Sequence, residues 1–443
     1  MMTHHYTFLH YLIGAALSIA LLTSCTMEQQ TPLNQKTVGL TAQSQDIQLY
    51  NNRPLDGWQV FINNDKQRQQ SFSAPSTQLA DGSVKLTTTN KDGRHDALTY
   101  QFQNSRFYNL YFEGGKPLNL NPYMAKGTVE FDIRIEDFAK TALDLTVSCG
   151  QDCYSRLGLR QWALKAEGKG WKHLSIPMHC FSRQSASFEQ VEHPFNLKAY
   201  GKGQVSVANV SFKLNGEANF DCIAPDKLAV TPATLDEFWS VDWWMPRHYE
   251  KLAQAKLGQA ELLLIGDSIT HNWEKAGKEI WQQYFGDIDT LNIGFSGDRT
   301  ENVLWRLHHN EVEGITPKLA IMMIGTNNTG HRMDNPASIA AGVDLILKEL
   351  SERLPETKVL LLAIFPRGAN NEDKNRQNNQ QTNKLLKKLA NTHNVMYADI
   401  NQHFLTDDGI LSEEIMPDLL HPNATGYSIW AEQIKPYVDK YVR

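Results

Sequence analysis

The sequence predicts two folds in series, an all-β sandwich followed by an α/β domain with a parallel sheet. Residues 46–224 consist of short segments in which apolar and polar residues alternate, which is typical of strands with one buried face. From residue 225 onward, short apolar runs alternate with helical patterns, which indicates βαβ units. The chain has 443 residues, and domains of about 150 residues would allow two or three.

A hydrophobic segment precedes both folds. Its apolar run, Tyr6–Leu22, leads into Leu22-Thr23-Ser24-Cys25. This pattern resembles the lipobox of bacterial lipoprotein signal peptides, which are cut before a cysteine that is then lipidated. The resemblance implies a signal peptide at residues 1–24, a lipid on Cys25 and a place in the bacterial cell envelope, anchored to the (outer) membrane and facing the periplasm or the surface. Residues 1–24 contain no Lys or Arg, so another secretory signal and a transmembrane anchor stay open as alternatives.

The composition is that of a globular chain with no bias towards nucleic acid. Lys and Arg number 43 against 49 Asp and Glu, which gives a formal net charge of −6. Nucleic-acid-binding proteins normally carry a basic patch or stripe, so we expect no such partner. The polar residues 25–45 are predicted to form a flexible tether between the lipid anchor and the folded chain.

Four further cysteines lie in the first half of the chain. In an oxidising compartment an even set of cysteines predicts disulfides. Three pairings are possible, and we favour Cys149–Cys153 together with Cys180–Cys222. A zinc site built from the same four side chains is the alternative, but a single C-x3-C spacing is weak evidence for it.

The alternating segments of the first half include Ser83–Thr88, Gly127–Ile135, Ala142–Val147 and Gln204–Leu214. The motifs Cys149–Cys153, Gly170–Pro177, Cys180-Phe181 and Pro194–Leu197 resemble the galactose-binding-type jelly-roll domains of some bacterial exo-glucanases. The resemblance covers residues 97–214 and implies a jelly-roll sandwich at 46–224 that binds polysaccharide. Sugar rings stack on exposed aromatic faces, but most aromatic residues of a sandwich fill its core. The candidates therefore stay unranked: Trp58, Phe107, Tyr108, Tyr111, Phe112, Trp162 and Trp171.

The second half alternates strands with helices. The predicted strands are Glu261–Ile265, Thr290–Ile293, Leu319–Ile324, Lys358–Phe365 and Val395–Asp399. The predicted helices between them are Thr300–His309, Ala337–Arg353 and Asn378–Thr392. Active sites of such sheets lie at the carboxyl ends of the strands, so these ends are where we look for chemistry.

Four short motifs follow strands or close the chain. The first strand leads into Gly266-Asp267-Ser268, where the glycine permits a tight turn and a serine nucleophile would meet free N–H groups at a helix start. The second leads to Gly297, which can offer a backbone N–H, and the third to Asn327, whose side chain can donate to an oxyanion. Asp418-x-x-His421 can orient an imidazole as a base. Each motif alone is also ordinary for a helix cap, a turn or a structural contact.

Together, and in this order, the motifs resemble the four blocks of the SGNH (GDSL-type) hydrolases. The segments Gly297–Leu307, Thr316–Lys318, Gly325–Asn328, Pro366–Gly368 and Asp418–His421 are closest to the platelet-activating-factor acetylhydrolase-like branch. The resemblance covers residues 240–443 and implies a three-layer, flavodoxin-like α/β fold at 225–443.

The resemblance also assigns roles by position. Ser268 attacks an ester carbonyl, His421 takes and returns the proton, and Asp418 orients His421. The N–H groups of Ser268 and Gly297, with the amide of Asn327, form the oxyanion hole. Asp267 and Arg299 are expected to shape the loops, and neither a metal nor an organic cofactor is implied.

The sequence therefore predicts an esterase that removes acetyl groups from polysaccharide or oligosaccharide, with an acetylated glycan as its partner. One alternative is a platelet-activating-factor-acetylhydrolase-like or lysophospholipase activity on lipid esters. A second alternative is a surface lipoprotein that binds glycan without catalysis. The sequence does not distinguish acyl-chain lengths.

Overall fold

The computed structural model describes residues 45–443 except 94, 139–140, 151–152, 183–185, 238 and 394. The predicted signal peptide (1–24), Cys25 and the tether up to residue 44 lie outside the described residues, so they stay predictions. Within the described part of the chain, no helix has both the length and the hydropathy that a membrane span requires.

The first half forms two antiparallel sheets around one core, as predicted. Its strands are β1 (Ile47–Asn51), β2 (Arg53–Pro54), β3 (Trp58–Asn64), β4 (Gln70–Ser71), β5 (Ser76–Gln78), β6 (Val84–Thr89), β7 (Ala97–Phe102), β8 (Tyr108–Gly114), β9 (Thr128–Asp137), β10 (Ala142–Ser148), β11 (Ser155–Gly158), β12 (Lys172–Pro177), β13 (His193–Tyr200) and β14 (Gly203–Lys213). One sheet has the order β12-β9-β14-β7-β6-β5, with β1 paired to β14 and β2 to β1. The other has the order β11-β10-β13-β8-β3-β4. Helix α1 (Arg160–Ala166) follows β11.

Side chains from the facing sheets fill the sandwich core. In β3, burial alternates along the strand, because one face packs on the core and the other meets solvent. Trp58, Tyr108, Tyr111 and Phe112 are buried, whereas Phe107, Trp162 and Trp171 are half-buried. Trp58, Tyr108 and Phe112 belong to the core and Trp162 packs against it, so four of the seven serve the core, whereas Tyr111 is buried outside it against Phe61 and His193.

Both disulfides form with the favoured pairing, Cys149–Cys153 and Cys180–Cys222. His179 lies close enough to Cys180 and Cys222 to complete a group of three potential metal ligands. The two sulfurs are bonded to each other, however, and a disulfide sulfur is not the thiolate that zinc binds. The disulfide therefore replaces the zinc alternative for this pair.

The second half begins with α2 (Trp244–Ala255) and contains a five-stranded parallel sheet. Its strands are β15 (Leu262–Gly266), β16 (Thr290–Gly294), β17 (Leu319–Met323), β18 (Lys358–Leu362) and β19 (Met396–Ala398). Its helices are α3 (Ser268–His271), α4 (Lys278–Phe285), α5 (Thr300–His308), α6 (Thr326–Arg332), α7 (Pro336–Arg353), α8 (Lys374–His393) and α9 (Ala424–Tyr441). The order β16-β15-β17-β18-β19 is the flavodoxin-like order 2-1-3-4-5.

The sheet is covered on both faces, which makes three layers. In β15, Leu263 and Ile265 pack with α2, α5, α7 and α8, while Leu262 and Leu264 pack with α3, α4 and α9. A parallel strand covered on both faces is buried at every position, which explains the unbroken apolar runs of β15 and β17 in the sequence.

Two element boundaries of the second half differ from the sequence prediction by three or more residues. Strand β18 ends at Leu362, not at Phe365, because β19 provides pairing partners only as far as Leu362. Helix α8 begins at Lys374, four residues before the predicted start. The side chain of Asp373 accepts a hydrogen bond from the N–H of Arg376 at 2.9 Å and so caps this earlier turn.

Candidate active site

The sequence order of the strands reverses around β15, and the polar motifs meet there. Strand β15 lies between β16 and β17, so the chain leaves β15 towards one neighbour and later returns to the other. Ser268 follows β15, Gly297 follows β16 and Asn327 follows β17. Carboxyl ends of neighbouring parallel strands share one edge, and a crevice opens where the order reverses.

In the structure, Ser268, His421 and Asp418 form one hydrogen-bonded triad. Ser268 Oγ lies 2.8 Å from His421 Nε2, and His421 Nδ1 lies 2.6 Å from Asp418 Oδ2. Both distances suit direct proton transfer or donation without rearrangement. This arrangement can activate a serine hydroxyl: with a proton on Nδ1 held by the carboxylate, Nε2 is free to accept.

Local contacts fix the position of Ser268. It opens the four-residue helix α3, and Asp267 caps that helix by accepting from the N–H of Ile269 at 3.0 Å. Tyr427 of α9 donates to the carbonyl of Ile269 at 2.6 Å, which connects the helix that carries Ser268 to the C-terminal helix. Burial raises the pKa of Asp267 to about 6, against the opposing effect of the Ile269 N–H.

Gly266 serves close packing instead of the turn conformation expected from the sequence. A Cβ atom at this position would lie 2.5 Å from the carbonyl oxygen of Met323 and would overlap Thr270 Oγ1. No larger residue fits between β15, β17 and the helix that carries Ser268.

The carboxylate of Asp418 is exposed to solvent. Its side chain is 57% exposed, whereas Ser268 is buried. Partial desolvation works against ionisation, but hydrogen bonds from the side chain and backbone N–H of His421 dominate and lower the pKa of Asp418. The carboxylate is therefore charged at neutral pH and shares its Oδ1 with the N–H groups of Leu420 and His421.

Two buried donors lie on either side of Ser268. Gly297 has φ +80°, a conformation that favours glycine. Asn327 donates one amide hydrogen to the carbonyl of Asp298 at 3.0 Å, and its second hydrogen is available for another acceptor. These are the donors that the sequence motifs nominated for an oxyanion.

A buried ionic group, which sequence reasoning did not single out, surrounds Asp298, the residue that follows Gly297. Asp298 accepts from Trp244 Nε1 at 2.7 Å and from Arg306 Nη2 at 2.8 Å, and Arg306 also pairs with Glu311. The charged side chains are fully buried. They fix the backbone of Asp298, whose carbonyl orients Asn327. The presence of Asp298 and Arg306 in one family-like segment was the available signal.

A second ionic group joins the sandwich to the loop that carries Gly297 and Arg299. Arg156 of β11 donates from one nitrogen to both oxygens of Glu237, at 2.6 and 2.7 Å. Glu237 also accepts from Arg299 at 3.2 Å, and Arg160 of α1 pairs with Asp236 at 2.8 Å. The expectation that Arg299 shapes its loop agrees with this contact. We call Arg156, Glu237 and Arg299 the junction clamp.

The Glu237 carboxylate is strongly stabilised in its charged form. Burial opposes ionisation, but Arg299 and Arg156 outweigh it and lower the pKa of Glu237 to about 2. Breaking one partner of a buried pair would leave an uncompensated charge, so the junction clamp holds the segment between the two halves firmly.

The fold and the hydrogen-bonded triad define a class, the serine ester hydrolases of the α/β SGNH type. Residues 264–429 match the sequence model of the GDSL-like lipase/acylhydrolase family, and residues 56–212 match that of the galactose-binding domain-like Exop_C domains. The chain belongs to the GDSL-like lipase/acylhydrolase family. Human platelet-activating factor acetylhydrolase IB subunit alpha1 is 34% identical over 201 residues, 45% of this chain and 84% of the relative.

Two solved structures illustrate the two halves. The extra C-terminal domain of an exo-1,3/1,4-β-glucanase from Pseudoalteromonas sp. is 15% identical and covers 40% of this chain and 98% of its own, with a TM-score of 0.34. A carbohydrate acetylesterase from Sinorhizobium meliloti is 17% identical and covers 41% of this chain and 99% of its own, with a TM-score of 0.33.

Proposed function

We propose that this ester hydrolase removes acetyl groups from polysaccharides or oligosaccharides, with Ser268 as its nucleophile. The observation that carries the catalytic assignment is the line from Ser268 Oγ through His421 to Asp418, at 2.8 and 2.6 Å. Relatives named acetylhydrolases support a short acyl group, and the galactose-binding-like match of the sandwich supports a sugar as the alcohol.

The geometry gives each residue one task. His421 Nε2 takes the proton of Ser268 as Oγ attacks the carbonyl carbon, and the backbone N–H groups of Ser268 and Gly297 with the Asn327 amide receive the oxyanion. His421 then protonates the departing alcohol, which leaves an acetyl-serine. Water, deprotonated by His421, attacks this ester, and the returning proton releases Ser268 and acetate.

The test is acetate release from acetylated xylan and mannan beside a phospholipid panel. Wild type is expected to release acetate from the glycans, and Ser268→Ala or His421→Ala is expected to lose about 10⁴-fold in kcat. Unchanged turnover by Ser268→Ala would disprove the site, and activity on lipids alone would disprove the glycan substrate.

The lipid substrate is the second candidate, because the curated relatives are named for platelet-activating factor. Platelet-activating factor, which carries an acetyl ester on a lipid, distinguishes the two possibilities when it is compared with the acetylated glycans in the same assay. Acetate from the lipid, with none from any acetylated glycan, would establish this alternative.

The sandwich and the N-terminus complete the proposal. The sandwich would bind glycan and raise the concentration of acetyl esters around Ser268. A lipid on Cys25 would hold the enzyme at the cell envelope. Cys25→Ser should then shift the protein from the membrane fraction to the soluble fraction, and retention in the membrane would disprove lipidation.

A further inference from the structure

An exposed tryptophan stands beside the candidate oxyanion hole. Trp239 lies in the segment between the two halves and, at 37% exposed, is one of six exposed large hydrophobic residues in the described part of the chain. A Cβ atom on Gly297 would fall on Cη2 of this indole and lie 2.9 Å from both Cζ2 and Cζ3. Equal distances to these two atoms place Gly297 beyond the tip of the ring. The indole thus points edge-on at Gly297, and the part of the ring that Trp243 and His331 do not cover is exposed to solvent.

The indole is held rigidly in this position. Trp243 stacks on it with an interplanar angle of 22° and donates from Nε1 to the Trp239 carbonyl at 2.8 Å. The buried Ser240 closes the turn by accepting from the N–H of Glu237 at 3.0 Å. Glu237 in turn is fixed by its ion pairs with Arg156 and Arg299. A ring that is ordered before a ligand arrives loses little freedom on binding.

We propose that Trp239 is the stacking platform for a pyranose ring in the alcohol part of the ester. The inference rests on the proposed glycan substrate and deepens it. The carbonyl under attack must face the N–H of Gly297, and the acyl part of an acetyl ester is only one methyl group. The larger group that can extend from Gly297 across the indole is therefore the alcohol. The C–H-rich face of a pyranose is apolar and matches a flat aromatic surface.

The test compares an acetylated methyl glucopyranoside with ethyl acetate, whose alcohol has no ring. Acetate release is followed by titration for wild type, Trp239→Ala, Trp239→Leu and Trp239→Tyr. Leucine keeps an apolar contact near Gly297 but offers no flat face, whereas tyrosine keeps a face. Tyr249→Ala, at a 62% exposed aromatic residue on α2, is the matched control.

The alanine and leucine variants should lose about 10-fold more kcat/KM on the pyranoside than on ethyl acetate. The loss should appear mainly in KM, because the contact between the pyranose ring and the indole is missing in both variants. Trp239→Tyr should recover most of this loss, and Tyr249→Ala should match wild type. Equal losses on both substrates would mean that Trp239 only supports the Gly297 loop and would overturn the inference while the glycan function stands. A wild type that hydrolyses lipid esters alone would overturn both.

A binding measurement covers the case in which Trp239→Ala fails to fold. Ser268→Ala protein is titrated with the acetylated pyranoside, and its tryptophan fluorescence is recorded. The fluorescence of the Ser268→Ala protein should change on binding. Most of that change should be absent from the double variant that also carries Trp239→Tyr. A change that persists in the double variant would overturn the inference.

Discussion

The hydrogen bonds of Asp418 predict that asparagine is a worse replacement than alanine. Oδ1 accepts from the backbone N–H groups of Leu420 and His421 at 3.1 and 2.7 Å, and Oδ2 faces His421 Nδ1 at 2.6 Å. In Asp418→Asn the amide oxygen must stay on the two N–H groups, because an NH2 group would oppose two donors. The NH2 group then faces Nδ1 and forces the imidazole proton onto Nε2, where His421 has to accept from Ser268.

The expected magnitudes follow from exposure and charge. Two unit charges about 4 Å apart interact by about 1 kcal/mol in water and about 4 kcal/mol in a site of intermediate dielectric. The Asp418 side chain is 57% exposed, so alanine with water in its place should cost about 2–3 kcal/mol, close to 10²-fold in kcat. The wrong tautomer in Asp418→Asn should bring the loss to about 10⁴-fold.

The assay is p-nitrophenyl acetate hydrolysis at saturating substrate and neutral pH. The exposed Asp407, in a turn 11 residues before Asp418, provides the matched control, Asp407→Asn, which should behave as wild type. Asp418→Asn with a kcat equal to or above that of Asp418→Ala would refute the assigned hydrogen-bond pattern. A loss of about 10⁴-fold in both variants would refute the argument from exposure.

Three further predictions concern the loops around the site. Asn327→Ala should lose about 10²- to 10³-fold in kcat with little change in KM, measured on p-nitrophenyl acetate, because an oxyanion donor acts mainly in the transition state. Gly297→Ala should lose most activity while staying folded, since φ is +80° and the new methyl group displaces Trp239; Gly57→Ala, at φ +79° with open space, should keep its activity. Glu237 has a pKa lowered from 4.5 to about 2, so its charge stabilises the fold above pH 4.5 and loses that effect as the pH falls towards 2. Urea unfolding should show Glu237→Gln about 3 kcal/mol less stable at neutral pH, with the difference disappearing near the low end of that range, and a pH-independent difference would contradict the ionic account.

The architecture and the grouping of Ser268, His421 and Asp418 could be predicted because their signals are local. The five parallel strands are rich in apolar residues, and each begins within about one residue of its prediction. Ser268, Gly297, Asn327 and His421 follow from short motifs at strand ends and near the C-terminus. The sheet then brings these motifs together without further information.

The supporting groups could not be predicted because they join residues that are far apart in sequence. Glu237 meets Arg156 across 81 residues and Arg299 across 62, and a glutamate between two folds has no periodic pattern to reveal its partners. Trp239 was equally hidden, since only the structure shows which aromatic residue stays exposed beside Gly297. The packing role of Gly266 depends on Met323, in a different strand.

The junction clamp limits how freely the two halves can be recombined. Glu237 is neutralised by one arginine from the sandwich and one from the loop that carries Gly297. A chimera that exchanges the sandwich for a domain without an equivalent of Arg156 would leave that carboxylate without one of its two partners, close to the loop that carries Gly297. An exchange of the sandwich should therefore keep an arginine at the position of Arg156.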